Sequence, residues 1–213
     1  MRTAVIAAAV VVVAAAWWWT REEEGGAVLP GDLDEVLDGA AQAVDGITGG
    51  VMKLSAMSKV TAAVLRDRNV QAFLRVIRRG EGTADEGGYK RLFGGGTFSS
   101  FADHPRTVVA KSGYRSSAAG AYQAMTSTWD ETAKIMGLPD FSPASQDLFA
   151  VGRIAARGAL ADVIAGRLET AISRCANEWA SLPGSPYGQP VISMATARAV
   201  FAGAGGYEER AAA

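Results

Sequence analysis

The chain has 213 residues, 49% of them apolar and 20% charged, with a formal net charge of −1. That composition fits one or two folded domains and excludes the basic field that nucleic-acid binding requires, so no nucleic-acid partner is expected. One cysteine, Cys175, and one histidine, His104, exclude an internal disulfide and a Cys/His zinc site, and neither a metal nor another cofactor is expected.

The first predicted element is Ala4–Trp19, an unbroken apolar run. As a helix it spans about 24 Å, somewhat less than a bilayer core of about 30 Å, and its flanking side chains can make up the difference by snorkelling. A retained membrane helix, a cleaved signal peptide and a buried helix all fit such a run. Trp17, Trp18 and Trp19 favour the retained helix, because indoles concentrate at the membrane interface. Arg2 before the run and Glu22, Glu23 and Glu24 after it point to the N-terminus inside and the C-terminus outside. Residues 1–24 are therefore read as a membrane anchor. Residues 25–59, rich in Gly, Ala and Asp, are read as a stalk with a short helix around Leu33, Val36 and Leu37, and Gly49-Gly50 argue against one long helix there.

Residues 60–213 are read as a compact domain. Val70, Phe73, Leu74 and Ile77 follow helical spacing, with Asp67 or Asn69 as cap and Gly80 as the end. Tyr89 to Phe101, broken by glycines, suits a small β-region. Gly94-Gly95-Gly96 precede Thr97-Phe98 rather than a Lys-Ser/Thr pair, so they make a turn and not a phosphate loop. Gly120 to Met136 is predicted helical. Ser142 and Pro143 start the next helix as cap and first residue, running to about Ala156. Ala161–Ile164 and Leu168–Trp179 also read as helix, and Ser193–Phe201 follows a Pro/Gly turn from Leu182 to Pro190. Helices around a minor β-region make the domain α+β, mainly helical.

Three places carry candidate chemistry. Glu81 sits between Gly80 and Gly82 at a helix end, where a carboxyl is anchored yet open to a bound molecule; by its local pattern alone, such a glutamate reads first as a solvated turn charge. Asp103-His104-Pro105-Arg106 is a polar cluster that is either a substrate contact or a turn held by hydrogen bonds. Tyr122-Gln123 offers polar tips that suit a sugar site or, equally simply, helix core beside a solvated amide. Trp129, Trp179 and Cys175 read as core.

The segments Glu81-Gly82-Thr83, Asp103-His104-Pro105-Arg106, Gly120 with Tyr122-Gln123, Leu138–Pro143, Ser145-Gln146-Asp147, Arg157–Leu160, Trp179–Gly184 and Tyr187-Gly188-Gln189 occur in one order across about two-thirds of the chain. From Val70 to about Gly206 this order closely resembles the lambdoid phage endolysins, lytic transglycosylases of lysozyme-like fold. The resemblance implies that Glu81 is the catalytic acid and that Asp103, His104, Tyr122, Gln123 and Tyr187 contact substrate. It implies peptidoglycan glycan strands as the partner and a reaction that leaves 1,6-anhydro-muramyl ends. A lysozyme-type hydrolase of the same bond is the alternative, and a non-catalytic cell-wall-binding or virion structural protein on the same fold is another. The loop from Asp85 to Phe93 looks shorter than in the phage enzyme, and the N-terminal segments lie outside the resemblance. A wall substrate agrees with an inner-membrane, single-pass chain whose catalytic domain lies in the periplasm.

Overall fold

A computed structural model describes residues 49–111 and 113–209. The run Ala4–Trp19 and most of the expected stalk lie outside the described residues. Among those that are described, no helix is long and apolar enough to cross a membrane. The described chain opens on helical residues 49–58 (α1), which include Gly49 and Gly50. Met57, at its end, is buried. A 3-10 turn at Ala62–Arg66 leads into the central helix α2, Arg68–Gly80.

α2 forms where its apolar positions predicted. Val70, Ala72, Phe73, Leu74, Val76 and Ile77 face inward and are buried, and α2 packs against three later helices, α4 (Pro143–Ala156), α5 (Leu160–Ala165) and α7 (Met194–Gly203). Truncating a fully buried side chain such as Phe73 costs about 3–5 kcal/mol, the transfer loss plus the cavity left behind. Asp67 is the cap: its Oδ1 accepts from the backbone N–H groups of Asn69 and Val70 at 2.8 and 3.0 Å, satisfying two donors that the helix cannot. Asn69 does a different job. It is buried, donates to the Ile164 carbonyl at 3.0 Å and accepts from Tyr207 N–H at 2.7 Å, so it ties the start of α2 to the chain's far end.

Beyond α2 come two 3-10 turns, Glu86–Lys90 and Phe93–Gly95, and then an antiparallel hairpin, β1 (Val109–Lys111) and β2 (Tyr114–Ser116), with Ala110 opposite Arg115. The β-region thus lies later than Tyr89–Phe101. That stretch forms only isolated bridges, Arg91 to Thr97 and Leu92 to Ala119. Its glycines curl the chain instead: Gly94 and Gly95 have φ +79° and +98°, and Leu92 N–H donates to the Gly96 carbonyl at 2.7 Å. Left-handed residues of this kind break a strand ladder. Lys111 of the hairpin donates to the Gly94 carbonyl at 2.7 Å, fixing the loop against the sheet.

The next helix, α3, spans Thr126–Met136 rather than starting at Gly120. Gly120 and Gln123 both have positive φ, +77° and +48°, which a right-handed helix cannot contain. Ala119 and Ala124 instead close a tight loop through paired backbone bonds of 3.0 and 2.8 Å. The buried amide of Gln146 replaces helical bonding there. Its Oε1 accepts from Ala121 N–H at 2.8 Å, and its Nε2 donates to the carbonyls of Tyr89 and Phe141 at 3.0 and 2.7 Å. Gly137, at φ +65°, ends α3.

α4 (Pro143–Ala156) starts on the expected Ser142 cap and Pro143. α5 (Leu160–Ala165) and α6 (Leu168–Cys175) follow, and α6 stops before Trp179. α7 (Met194–Gly203) starts on the Ser193 cap. Trp129, Trp179 and Cys175 are buried as expected of core residues.

Candidate active site

The end of α2 is built to present Glu81. Glu81 keeps helical backbone angles, and its N–H donates to the Ile77 carbonyl at 2.9 Å. Gly82 then turns left-handed at φ +68°, and Thr83 N–H reaches back to the Arg78 carbonyl at 2.9 Å, closing a Schellman-type end. This is one position where glycine is required, since a side chain at that φ is strained. Arg78, buried, donates from Nε and one terminal nitrogen to the Thr83 carbonyl at 3.1 and 2.9 Å and stacks over the Tyr89 ring at 4.4 Å. The turn carrying Glu81 is therefore fixed from below.

Glu81 projects, half-buried, into a cleft of about 420 Å³. One wall is the Gly-rich loop at Phe93–Gly95 with Leu92. The other is the segment from Trp179 to Ser181, with Gln189 and Pro190, and Gln123 also lines the cleft. Burial pushes the Glu81 carboxyl up to about 7, against a hydrogen bond from Ser181 that lowers it. At neutral pH a large share of the molecules therefore carries the proton that a general acid must give. Glu81 is the one carboxylate among the described residues lining this cleft.

Ser181 is the contact that the sequence did not single out. Its hydroxyl donates to Glu81 Oε1 at 2.7 Å, across 100 positions of chain. The segment that carries it is clamped. Glu178 is buried and paired with Arg153 and Arg157, each at 2.7 Å, and Trp179 Nε1 donates to the Tyr122 carbonyl at 3.3 Å. Gln189 lines the same wall, whereas Tyr187, two residues before it, is the residue that the resemblance assigns to substrate. A polar residue inside the matched run Trp179–Gly184 was the available signal for Ser181.

The other candidates separate. Gln123 lines the cleft, nearly buried, with Nε2 donating to the Gly120 carbonyl at 3.0 Å. Asp103 is exposed and lines an adjoining groove of about 730 Å³, which shares Leu92 with the first. Burial opposes its ionisation, but hydrogen bonds from Arg106 Nε at 2.9 Å and His104 N–H at 2.7 Å outweigh that and hold the carboxyl below its usual range. His104 does not reach either cavity. It is buried: Nε2 donates to the Ala124 carbonyl at 2.8 Å and Nδ1 accepts from Arg106 N–H at 3.1 Å, which fixes a neutral tautomer, and burial pushes its pKa down. Tyr122 is also buried, with its hydroxyl donating to Asp147 Oδ1 at 2.6 Å. Tyr89 donates to the same oxygen at 2.8 Å. Both His104 and Tyr122, expected at the substrate, thus spend their polar atoms inside the protein. Tyr187 is half-buried outside the cleft lining, its hydroxyl donating to the Asn177 carbonyl at 3.3 Å. Asp85 and Glu86 are exposed, and Asp85 pairs with Arg91 at 2.6 Å.

The endolysin family model matches residues 71–208, well over half of the chain. The chain belongs to the endolysin family. The endolysin of Escherichia phage P2 is 41% identical over 155 residues, covering 65% of this chain and 94% of the relative. That of Escherichia phage lambda is 42% identical over 144 residues, covering 64% and 90%. In structure the chain is similar to bacteriophage lambda lysozyme complexed with a chitohexasaccharide, at a TM-score of 0.64 and 40% identity, covering 67% of this chain and 97% of that one. A second structure of lysozyme from bacteriophage lambda matches at a TM-score of 0.61 and 38% identity, with the same coverage. The family match and the mainly helical architecture with one small hairpin agree with the resemblance and with the mainly helical α+β domain read from the sequence; the expected membrane helix and most of the expected stalk lie outside the described residues.

Proposed function

We propose that this endolysin is a lytic transglycosylase that cleaves the β-1,4 bond between N-acetylmuramic acid and N-acetylglucosamine in peptidoglycan. Cleavage of peptidoglycan strands follows from the family. A hexasaccharide bound to lambda lysozyme supports a glycan in the cleft here. The observation that carries the transglycosylase reading is that Glu81 is the one carboxylate among the described residues of the cleft, with a pKa of about 7.

In this reaction Glu81 gives its proton to the glycosidic oxygen as the bond from that oxygen to the muramyl anomeric carbon breaks. The electron pair leaves with the N-acetylglucosamine oxygen. The Glu81 carboxylate then takes the proton of the muramyl C6 hydroxyl as that oxygen bonds to the anomeric carbon. A 1,6-anhydro ring closes, no water is consumed, and the enzyme ends protonated. One carboxyl serves both halves. A hydrolase ordinarily uses a second one, about 5–9.5 Å away, as nucleophile or to activate water. Asp103 lines the adjoining groove, but its oxygens are already held by Arg106 and His104 N–H. Digestion in heavy-oxygen water tests the reading: muramyl ends are expected as unlabelled anhydro products, and labelled reducing ends as the main product would make the enzyme a hydrolase.

We further propose that Ala4–Trp19 anchors the chain in the inner membrane with residues from Arg21 onward in the periplasm. The support is the uninterrupted apolar run, the charges on either side of it, and a substrate outside that membrane. Residues 25–59 then act as the stalk, and residues 60–213 as the catalytic domain. A reporter fused after Gly26 is expected to be active only on the periplasmic side. Full-length chain in the soluble cytoplasm would overturn the anchor.

A further inference from the structure

The geometry points to Ser181 as a positioning residue that holds Glu81 Oε1 and so assigns the transferable proton to Oε2. The inference rests on the reading of Glu81 as the acid. A protonated carboxyl has one oxygen that carries hydrogen and one that accepts. Ser181 Oγ donates to Oε1 at 2.7 Å, which makes Oε1 the accepting oxygen and leaves Oε2 to carry the proton. After transfer the same hydroxyl donates to a carboxylate, a stronger bond than to the neutral acid, and so holds the newly formed base in place.

The surrounding structure is shaped for this contact. A Cβ at Gly80, the last residue of α2, would collide with Ser181 Oγ and approach its Cβ to 3.0 Å. Gly80 has no positive φ, so the backbone does not require glycine there. What requires it is the close approach of Ser181 to the helix end. From the other side, Ile192 N–H donates to the Ser181 carbonyl at 2.9 Å, and the buried Glu178 holds the segment through Arg153 and Arg157. The hydroxyl is thus delivered by a rigid strap and received by a bare helix end.

The test is the pH profile of anhydro-muramyl end formation from purified peptidoglycan, with full-length Ser181→Ala, Ser181→Cys and Gly80→Ala beside Glu81→Gln. In Ser181→Ala, kcat is expected to fall about 10-fold at the acidic plateau with KM nearly unchanged, as misplacement of a reacting group predicts. The alkaline limb should move to higher pH, because the bond removed lowers the Glu81 pKa. Ser181→Cys keeps the volume with a weaker donor and should fall between. Gly80→Ala keeps the serine but displaces it, and should shift the limb in the same direction although alanine favours the helix. If Ser181→Ala does not fold, Ser181→Cys and Gly80→Ala carry the same test. Loss of rate with no shift of the limb would make Ser181 merely structural and overturn the proposal, as would unchanged rate and limb. Near-normal turnover by Glu81→Gln would overturn the acid assignment instead, a separate outcome.

Discussion

The Thr83 hydroxyl, two residues beyond Glu81, donates to the carbonyl of Ala121, two residues before Gln123, at 2.5 Å. Thr83 is fully buried, and this bond joins the turn carrying the proposed acid to the loop carrying the Gln123 amide. Thr83→Val keeps the shape and leaves the Ala121 oxygen without its hydroxyl donor. The expected cost is about 1–3 kcal/mol of stability, with a lower kcat as the two cleft elements lose their registration. Denaturant melts and initial rates measure both. Unchanged kcat in a destabilised variant would show that the two loops are registered by other contacts.

Glu81→Gln should lower the muralytic rate by about 10²-fold or more, the usual scale of general acid–base catalysis. Its effect on stability depends on pH. The folded-state pKa of about 7 lies above the ordinary 4.5, so the native protein binds more protons than the unfolded chain between those values. The contribution is fully present below about 4.5 and is lost as pH rises through 7. The melting temperature of the wild type should therefore fall relative to Glu81→Gln across that window. Parallel curves for the two proteins would mean that Glu81 titrates normally.

Gln123 combines a left-handed backbone with a side chain in the cleft. Gln123→Ala removes the amide and keeps the strain, whereas Gln123→Gly removes both. Both variants should lose activity, and the glycine variant should be more stable than the alanine variant by about 1 kcal/mol. Equal activity to wild type in either would place the amide outside the reaction.

Tyr122→Phe should act on stability rather than on substrate. It removes the hydroxyl that donates to half-buried Asp147, at an expected cost of about 1–2 kcal/mol, while KM for peptidoglycan stays the same. Asp103→Ala supplies the contrast, since Asp103 lines the adjoining groove and is exposed. A raised KM with little change in melting temperature is expected there. The reverse pattern for the two variants would return Tyr122 to the substrate surface.

Local sequence determined the elements whose cause is local. The apolar spacing of Val70, Phe73, Leu74 and Ile77 required a helix with one buried face, Asp67 supplied its cap, and Gly80-Glu81-Gly82 marked an end that places a carboxyl at a turn. Ser142-Pro143 and Gly137 fixed boundaries in the same way, because caps and left-handed stops act within a few residues. The order of motifs was enough to indicate the family. Tertiary structure decided the rest. The stretch from Gly120 to Gln123 carries a helix-compatible sequence, yet Gln146, more than twenty residues on, bonds Ala121 and holds the loop out of the helix. Tyr122 and His104 have polar tips that suit either a sugar or a buried partner. Asp147 and the Ala124 carbonyl take them, and no spacing in the sequence shows that those partners stand nearby. Ser181 reaches Glu81 only because the strap after α6, clamped by Glu178, returns across a helix end with no side chain in the way. Hydrogen bonds between distant segments depend on where the core places each segment, and the burial of α2 against α4, α5 and α7 set that placement.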